Sequence, residues 1–188
     1  DEPVLPAGDD IAVLQYTSGS TRAPRGVVVT HANLMHNLDA IARAFGTAPD
    51  HHGVFWLPPH HDMGLVGGLL APLHTGCPVT LMSPTGFLRD PLAWLRAIAA
   101  SWLAVSGGPN LCYAHAVAKV APADVASLDL SRWDVAFVGA EPVNPAVLDR
   151  FAEHFAPAGF RRESFLPSYG LAEATLLVAA TRKGAGVR

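Results

Sequence analysis

The sequence is short of cysteine, of charge and of long apolar runs, and each shortage argues against a class of protein. Its two cysteines, Cys77 and Cys112, have no metal or redox spacing, so we interpret both as buried free thiols in a reducing compartment. A net charge of −3 without a long basic run argues against nucleic-acid binding. The longest apolar stretch, residues 65–73, is interrupted by glycine and proline and is too short to span a membrane. No signal peptide follows the acidic N-terminus, so we expect a cytoplasmic protein.

Short apolar segments alternate with longer amphipathic ones, and half of the 188 residues are hydrophobic, enough for a sizeable core. This alternation predicts an α/β layered fold with a largely parallel sheet. The predicted strands are 11–14, 27–29, 54–57, 79–82, 103–105, 135–138, 165–166 and 176–179. The predicted helices follow the caps Thr30, Asp90 and Asn144 or cover about 64–74 and 110–120.

Five polar clusters follow predicted strands, after Tyr16, Leu57, Val105, Val138 and Leu166. In open parallel sheets ligands bind beyond the carboxyl ends of the strands. The five clusters together therefore predict one ligand site at that edge.

The cluster at residues 16–27 is rich in hydroxyl groups and glycine and lies between two strands that we expect to be buried. Its backbone N–H groups, its hydroxyls and the charge of Arg25 suit a polyphosphate. The Walker A pattern is absent, and a strand rather than a helix follows Gly26. A polar hairpin that only reverses the chain is the alternative reading.

Two further clusters allow rival readings. Residues 60–64 contain two histidines and Asp62, but a zinc site needs another ligand at helical spacing, and Asp62 is also suited to cap the following helix. Ser106 lies in a degenerate nucleophile elbow, and Asp134 and His154 follow in the order of an α/β-hydrolase triad. A serine hydrolase therefore remains an alternative.

Three segments resemble the adenylate-forming enzymes, which include acyl-CoA synthetases, peptide-synthetase adenylation domains and luciferases. Residues 16–27 resemble their phosphate-binding signature Y-T-S-G-[ST]-T-G-x-P-K-G-V, with Arg22 and Arg25 in place of a glycine and a lysine. Residues 169–175, Y-G-L-A-E-A-T, resemble the motif Y-G-x-[AT]-E. Residues 57–65 match L-P-P-x-H-D-M-G-L of the fatty acyl-AMP ligases, the branch that Arg22 also favours.

The resemblance implies that ATP activates a fatty acid to acyl-AMP with release of pyrophosphate, and that the acyl group then passes to an acyl carrier protein. An acyl-CoA synthetase would differ only in its acceptor, and a fragment that binds nucleotide without turnover is a further alternative. The resemblance implies a single domain over 1–188, a central slice of the large domain, without the ribose-binding aspartate and the C-terminal domain with its catalytic lysine. We therefore expect residues 1–188 alone to form no acyl-AMP.

The resemblance also implies roles for individual residues. His61 would lie where carboxylate and adenylate meet, and Glu173 would bind Mg²⁺, which usually pairs one or two carboxylates with substrate phosphates. The expected phosphate ligands are Thr17, Ser18, Gly19, Ser20, Thr21 and Arg25. The expected adenine ligands are Gly139, Ala140, Glu141, Tyr169 and Gly170. The expected acyl-pocket residues are Met63, Gly64, Gly67, Gly107, Gly108, Pro109 and Asn110.

Overall fold

A computed structural model describes residues 5–17 and 25–187, and its main feature is a six-stranded sheet. Its strands are β3 His52–Phe55, β4 Val79–Leu81, β5 Ala104–Gly108, β6 Trp133–Val138, β7 Phe165–Gly170 and β8 Leu177–Ala180. Their order in the sheet is β4-β3-β5-β6-β7-β8; the first five strands are parallel and β8 is antiparallel to β7. The predicted α/β fold with a largely parallel sheet is thus confirmed.

The first two strands form a separate antiparallel hairpin, β1 Ile11–Thr17 and β2 Arg25–Thr30. The prediction that these strands are buried is wrong, because Ile11, Leu14 and Val28 are 58%, 51% and 54% exposed. Because the hairpin is a separate sheet, the cluster between its strands does not follow a strand of the parallel sheet. Gln15 Nε2 donates a hydrogen bond of 3.1 Å to the His60 carbonyl, which ties the hairpin to the loop after β3. Ser18, Gly19, Ser20 and Thr21 lie outside the described residues.

The helices begin where capping side chains place them. Thr30 and Asn33 form a capping box, and the Asp90 and Asn144 side chains accept bonds from Ala93 and Ala146, as predicted. The helices are α1 His31–Phe45, a π-helix Met63–Leu70, α2 Ala71–Thr75, α3 Pro84–Arg89, α4 Pro91–Ala99, α5 Asn110–Lys119, α6 Pro122–Val125 and α7 Pro145–Phe155. Two of the short helices, α3 and α6, were not predicted. In the described part of the chain, none is long and apolar enough to cross a membrane.

The predicted helix at 64–74 is divided into a π-helix and the short α2. Within the π-helix the backbone widens, and the Ala71 N–H bonds to the carbonyl of Val66, five residues earlier. Gly64 lies against the loop after β3, where a Cβ atom would be 2.0 Å from the Pro58 carbonyl oxygen. π-helical turns are rare and frequent at functional sites.

Most predicted strand ends are shifted, and the shifts of β5 and β7 change the position of predicted site residues. β5 continues to Gly108 and β7 to Gly170, so Ser106, Gly107 and Tyr169 lie within strands instead of after them. Gly107 and Gly108 pair with Phe137 and Val138 of β6, and this ladder outweighs the weak strand propensity of glycine. A Cβ atom on Gly107 would lie 2.1 Å from the Phe137 carbonyl oxygen, so only glycine allows this close approach.

The two faces of the sheet are covered differently. On one face α4, α5 and α7 pack Trp94, Tyr113 and Phe151 into an aromatic core with Trp133 and Phe165 from the sheet. On the other face, Phe55, Val105, Phe137 and Leu166 face α1 and the π-helix. We call these the solid face and the hollow face, because the second encloses a cavity.

Candidate active site

The cavity lies between the hollow face, α1 and the π-helix and has a volume of about 260 Å³. This is close to the lower limit of ~300 Å³ for small-molecule sites. Its walls are mostly apolar. They include Ile41 and Phe45 of α1, Phe55, Val105 and Phe137 of the sheet, Met63 and Gly67 of the π-helix, and Leu176 and Leu177 near β8.

The cavity is elongated along the strands. At the amino edge of the sheet it is lined by His51, whose Nε2 lies 3.1 Å from Asp134 Oδ2 near the start of β6. At the carboxyl edge it is lined by Gly139 and Ala140, which follow β6. The five-residue separation of Asp134 and Gly139 corresponds to ~16 Å of strand. An extended chain-like ligand matches this shape.

The carboxyl-edge end of the cavity is formed by residues 139–140 and 168–171. Gly139 lies against β7, where a Cβ atom would be 3.1 Å from the Ser168 carbonyl oxygen. Ala140 has a φ of +69°, an uncommon conformation for a residue with a side chain. Tyr169 is 61% exposed, so its ring is open to a partner. A planar group can therefore approach the backbone here, with an aromatic ring beside it.

His61 lies at the same end of the cavity and pairs with Asp62. His61 Nδ1 is 2.6 Å from Asp62 Oδ1, and this carboxylate also accepts a bond of 2.7 Å from the Met63 N–H, as the predicted cap of the π-helix. The hydrogen bond to Asp62 raises the pKa of His61, partial burial lowers it, and the carboxylate charge raises it further. Because Nδ1 is engaged, Nε2 is the ring nitrogen left for a ligand.

Glu173 lies in a 3₁₀ turn, Ala172–Ala174, between β7 and β8, and its side chain is exposed. Among the described residues it forms no ion pair, and no group of three or more acidic, histidine or cysteine side chains could hold a metal ion. A single exposed carboxylate fits Mg²⁺ only when substrate phosphates complete the coordination.

The predicted acyl-pocket residues divide into two groups. Met63 and Gly67 line the cavity, whereas Gly64, Gly107, Gly108, Pro109 and Asn110 are not among its lining residues. The glycines of the second group are explained by close packing: a Cβ atom on Gly108 would lie 2.9 Å from the Trp56 ring. Asn110 Nδ2 donates to the Pro142 carbonyl at 2.9 Å, and its Oδ1 accepts from the Asn144 N–H at 2.9 Å. Asn110 thus holds the loop after β6.

The other predicted residues have mixed positions. Arg25 begins β2 and is exposed, opposite Thr17 in the hairpin ladder. Glu141 is exposed and lies outside the cavity lining, next to Ala140. Cys112 is buried as predicted, but Cys77 is only partly buried and lines the cavity.

The walls contributed by α1 and by Leu176 and Leu177 were not predicted as part of a site. Ile41 and Phe45 have the spacing of a helix face turned to a core, and a cavity lining has the same spacing. For the wall formed by Leu176 and Leu177, the only sequence signal is its nearness to the motif at 169–175.

The serine hydrolase reading is wrong. Ser106 is fully buried; its hydroxyl donates to the Val54 carbonyl and accepts a bond of 2.8 Å from Trp94 Nε1. Asp134 pairs with His51 and Lys183, and His154 Nε2 bonds to the Val120 carbonyl at 3.0 Å. The three residues of the supposed triad thus have separate partners, and a buried, doubly bonded hydroxyl is not an available nucleophile.

The chain thus combines a mainly parallel sheet, a cavity between its hollow face, α1 and the π-helix, and motif residues at the carboxyl-edge end of that cavity. The sequence matches the family described as AMP-binding enzyme over residues 1–187, and the chain belongs to this family.

Several relatives are similar to the chain over nearly its whole length. It is 45% identical over 180 residues to the medium-chain-fatty-acid–[acyl-carrier-protein] ligase JamA of Moorena producens, covering 96% of this chain and 30% of the relative. It is 49% identical over 172 residues to TtuA of Teredinibacter turnerae, a ligase of the same description, covering 90% of this chain and 26% of the relative. The crystal structure of fatty acid AMP ligase from Legionella pneumophila is 46% identical to it with a TM-score of 0.94, covering 98% of this chain and 32% of that protein. The chain thus spans about a third of the length of these proteins.

Proposed function

We propose that this chain is the nucleotide- and acyl-binding part of a fatty acyl-AMP ligase. The observation that carries the proposal is the elongated apolar cavity that ends at Ala140 and Tyr169, beside His61. A fatty acyl chain fits such a cavity, with its carboxylate at the carboxyl edge of the sheet. The chain would then be a central slice of the large domain of the enzyme.

In the proposed reaction, a carboxylate oxygen of the fatty acid attacks the α-phosphorus of ATP. The new oxygen–phosphorus bond gives acyl-AMP, and the bond to the β-phosphate oxygen breaks and releases pyrophosphate. The protein contributes positioning and charge neutralisation. Protonated His61, favoured by Asp62, would place a positive charge beside the carboxylate and the α-phosphate.

The remaining roles follow the motifs. Thr17, Ser18, Gly19, Ser20, Thr21 and Arg25 would hold the β- and γ-phosphates, and Gly139, Ala140, Glu141, Tyr169 and Gly170 would hold adenine. Met63 and Gly67 would contact the acyl chain, and Gly64, Gly107, Gly108, Pro109 and Asn110 would support that pocket. Glu173 would bind Mg²⁺, which neutralises phosphate charge when it is present.

The proposed acceptor of the acyl group is an acyl carrier protein. JamA and TtuA, at 45% and 49% identity, are both named as ligases that use this acceptor. The alternative is coenzyme A, since a putative fatty-acid–CoA ligase, FadD21 of Mycobacterium leprae, is 47% identical over 179 residues.

The positions of both lysines support the expectation that residues 1–188 alone form no acyl-AMP. Lys183 pairs with Asp134 at 2.5 Å, at the amino edge of the sheet, and Lys119 ends α5. Neither is among the cavity-lining residues. A lysine for the α-phosphate would therefore have to come from outside these residues.

The test is ATP–pyrophosphate exchange by the full-length protein with a series of saturated fatty acids. We expect exchange that depends on the fatty acid, followed by transfer to a carrier protein and not to coenzyme A. A control without fatty acid gives the background. Exchange driven by amino acids, or absent with every fatty acid, would contradict the proposal, and thioester formation with coenzyme A would select the alternative acceptor.

A further inference from the structure

We propose that Asn37 is a positioning residue that holds the turn carrying Glu173, and thereby sets the affinity for the metal–nucleotide complex. The inference rests on the proposed role of Glu173 in binding Mg²⁺. Asn37 lies on α1, outside all the motifs that resemble known signatures, and has no contact with nucleotide in the proposed function.

The Asn37 side chain makes three hydrogen bonds to the backbone of residues 174–177. Its Nδ2 donates to the carbonyls of Ala174 at 3.3 Å and Leu177 at 2.8 Å, and its Oδ1 accepts from the Leu177 N–H at 2.9 Å. The residue is 7% exposed. Both ends of the amide are thus used, and no other residue type provides the same donor and acceptor in a side chain of this length.

The segment that Asn37 holds has a strained backbone. Thr175 has a φ of +71° and a ψ of −58°, and the Leu176 N–H bonds back to the Ala174 carbonyl at 2.9 Å. This is a γ-turn with positive φ at its centre, a rare conformation that is especially unfavourable for a β-branched residue. Such a conformation persists only where its surroundings enforce it. The bonds from Asn37 flank Thr175 on both sides and supply that restraint.

The strained turn connects two parts of the site. On its N-terminal side it continues the 3₁₀ turn with Glu173, and the Leu171 N–H bonds to the Leu176 carbonyl at 2.9 Å. On its C-terminal side Leu176 and Leu177 line the cavity. If the turn relaxes to an ordinary conformation, the Glu173 carboxylate moves with it, while the helices and the sheet have no reason to change.

The test compares two substitutions on α1. Asn37→Leu keeps the branched shape and the number of heavy atoms of the side chain and removes all three bonds. Asn33→Ala is the matched control: it removes the Asn33 half of the capping box at the start of the same helix, where the exposed Asn33 side chain accepts bonds from Thr30 and makes none to the turn. Asn33→Ala lowers general stability, so it separates a loss of stability from a loss of positioning.

Two measurements on the full-length protein decide the outcome. The first is hydrogen–deuterium exchange of segment 170–178, and the second is the affinity for Mn²⁺–ATP by electron paramagnetic resonance, which needs no turnover. For Asn37→Leu we expect faster exchange in this segment and an affinity lower by about 10–100-fold, the usual effect of losing a residue that orients a metal ligand. For Asn33→Ala we expect neither, although the melting temperature falls.

The inference would be overturned if the two variants had equal hydrogen–deuterium exchange in segment 170–178 and equal affinity for Mn²⁺–ATP. If Asn37→Leu does not fold, Asn37→Asp takes its place, because it keeps the acceptor for Leu177 and removes only the two donated bonds. If the wild type shows no exchange of pyrophosphate with any fatty acid, the proposed reaction fails. The Mn²⁺–ATP affinities still decide the role of Asn37.

Discussion

The solid and hollow faces belong to the same strands, yet the first is filled by packed aromatic rings and the second borders a cavity. On the solid face, rings from three helices and the sheet interlock at centroid distances of 5.0 to 6.4 Å, and Tyr113 donates its hydroxyl to the Phe137 carbonyl at 2.8 Å. On the hollow face the corresponding space is a cavity bounded by α1 and the π-helix.

The difference shows how one sheet can carry both stability and a binding site. Alternate residues of a strand point to opposite faces, so Ala136 and Val138 pack into the solid face while Phe137 lines the cavity. Dense packing on one side holds the strands in place, and the other side can remain open without loss of the fold. We therefore expect substitutions on the two faces to have separable effects.

The largest effect is expected from Glu173→Gln, in the turn between β7 and β8. Loss of the proposed metal ligand should lower ATP–pyrophosphate exchange by orders of magnitude and leave the melting temperature unchanged, because the side chain is exposed. Glu163→Gln is the matched control, since Glu163 is also an exposed glutamate in a 3₁₀ turn, before β7. Exchange close to that of the wild type would remove Glu173 from the metal site.

The next largest effect is a difference in the free energy of unfolding between two phenylalanine substitutions, one on each face. Phe151→Ala on the solid face should cost about 3–5 kcal/mol in the free energy of unfolding, because the fully buried ring leaves a void. Phe45→Ala should cost clearly less, since that ring is only partly buried and borders the cavity. Denaturant unfolding measures both. Equal losses would show that the two faces contribute equally to stability.

A smaller effect is expected from two glycines of the π-helix. Gly67→Val should reduce kcat/KM for long fatty acids relative to short ones, since the new side chain enters the cavity and its Cβ lies 3.2 Å from Leu176 Cδ2. Gly64→Ala should instead lower the melting temperature without changing this preference, because its Cβ would lie 2.0 Å from the Pro58 carbonyl oxygen. An unchanged preference in Gly67→Val would place the acyl chain elsewhere.

The smallest effect concerns the titration of His61. Its pKa is raised mainly by the hydrogen bond to Asp62, so Asp62→Asn should lower this pKa. In the wild type, protonated His61 stabilises the folded state at low pH, and this contribution is lost as the pH rises through the raised pKa. In Asp62→Asn the imidazole should lose its proton at a lower pH, and NMR of the ring measures this titration. Asp39→Asn, which breaks the surface pair with His74, should leave the His61 titration unchanged.

Local patterns in the sequence predicted much of the fold. The caps at Thr30, Asp90 and Asn144 and the strand cores were predicted because their partners lie within a few residues. The strand ends at Gly108 and Gly170 were not, because pairing with neighbouring strands extends them against local propensity.

The candidate site was predicted only in part. Motifs that resemble a known family indicated His61, Ala140 and Tyr169, which the fold brings to one end of the cavity. Whether a glycine faces a ligand or packs against the protein depends on the tertiary structure, and so Gly67 could not be told apart from Gly64. Asn37 was missed because its backbone partners lie 137 and 140 residues further along the chain.

This separation in sequence also determines when the cavity can close during folding. The sheet strands β3 to β7 follow one another in short steps along the chain, whereas the contact between α1 and residues 174–177 joins residues up to 140 positions apart. Such a contact is entropically costly and forms late. The strained turn should therefore be among the last elements to reach its native conformation and among the first to open under native conditions. A ligand that spans it would stabilise this late-forming part of the protein more than the aromatic core.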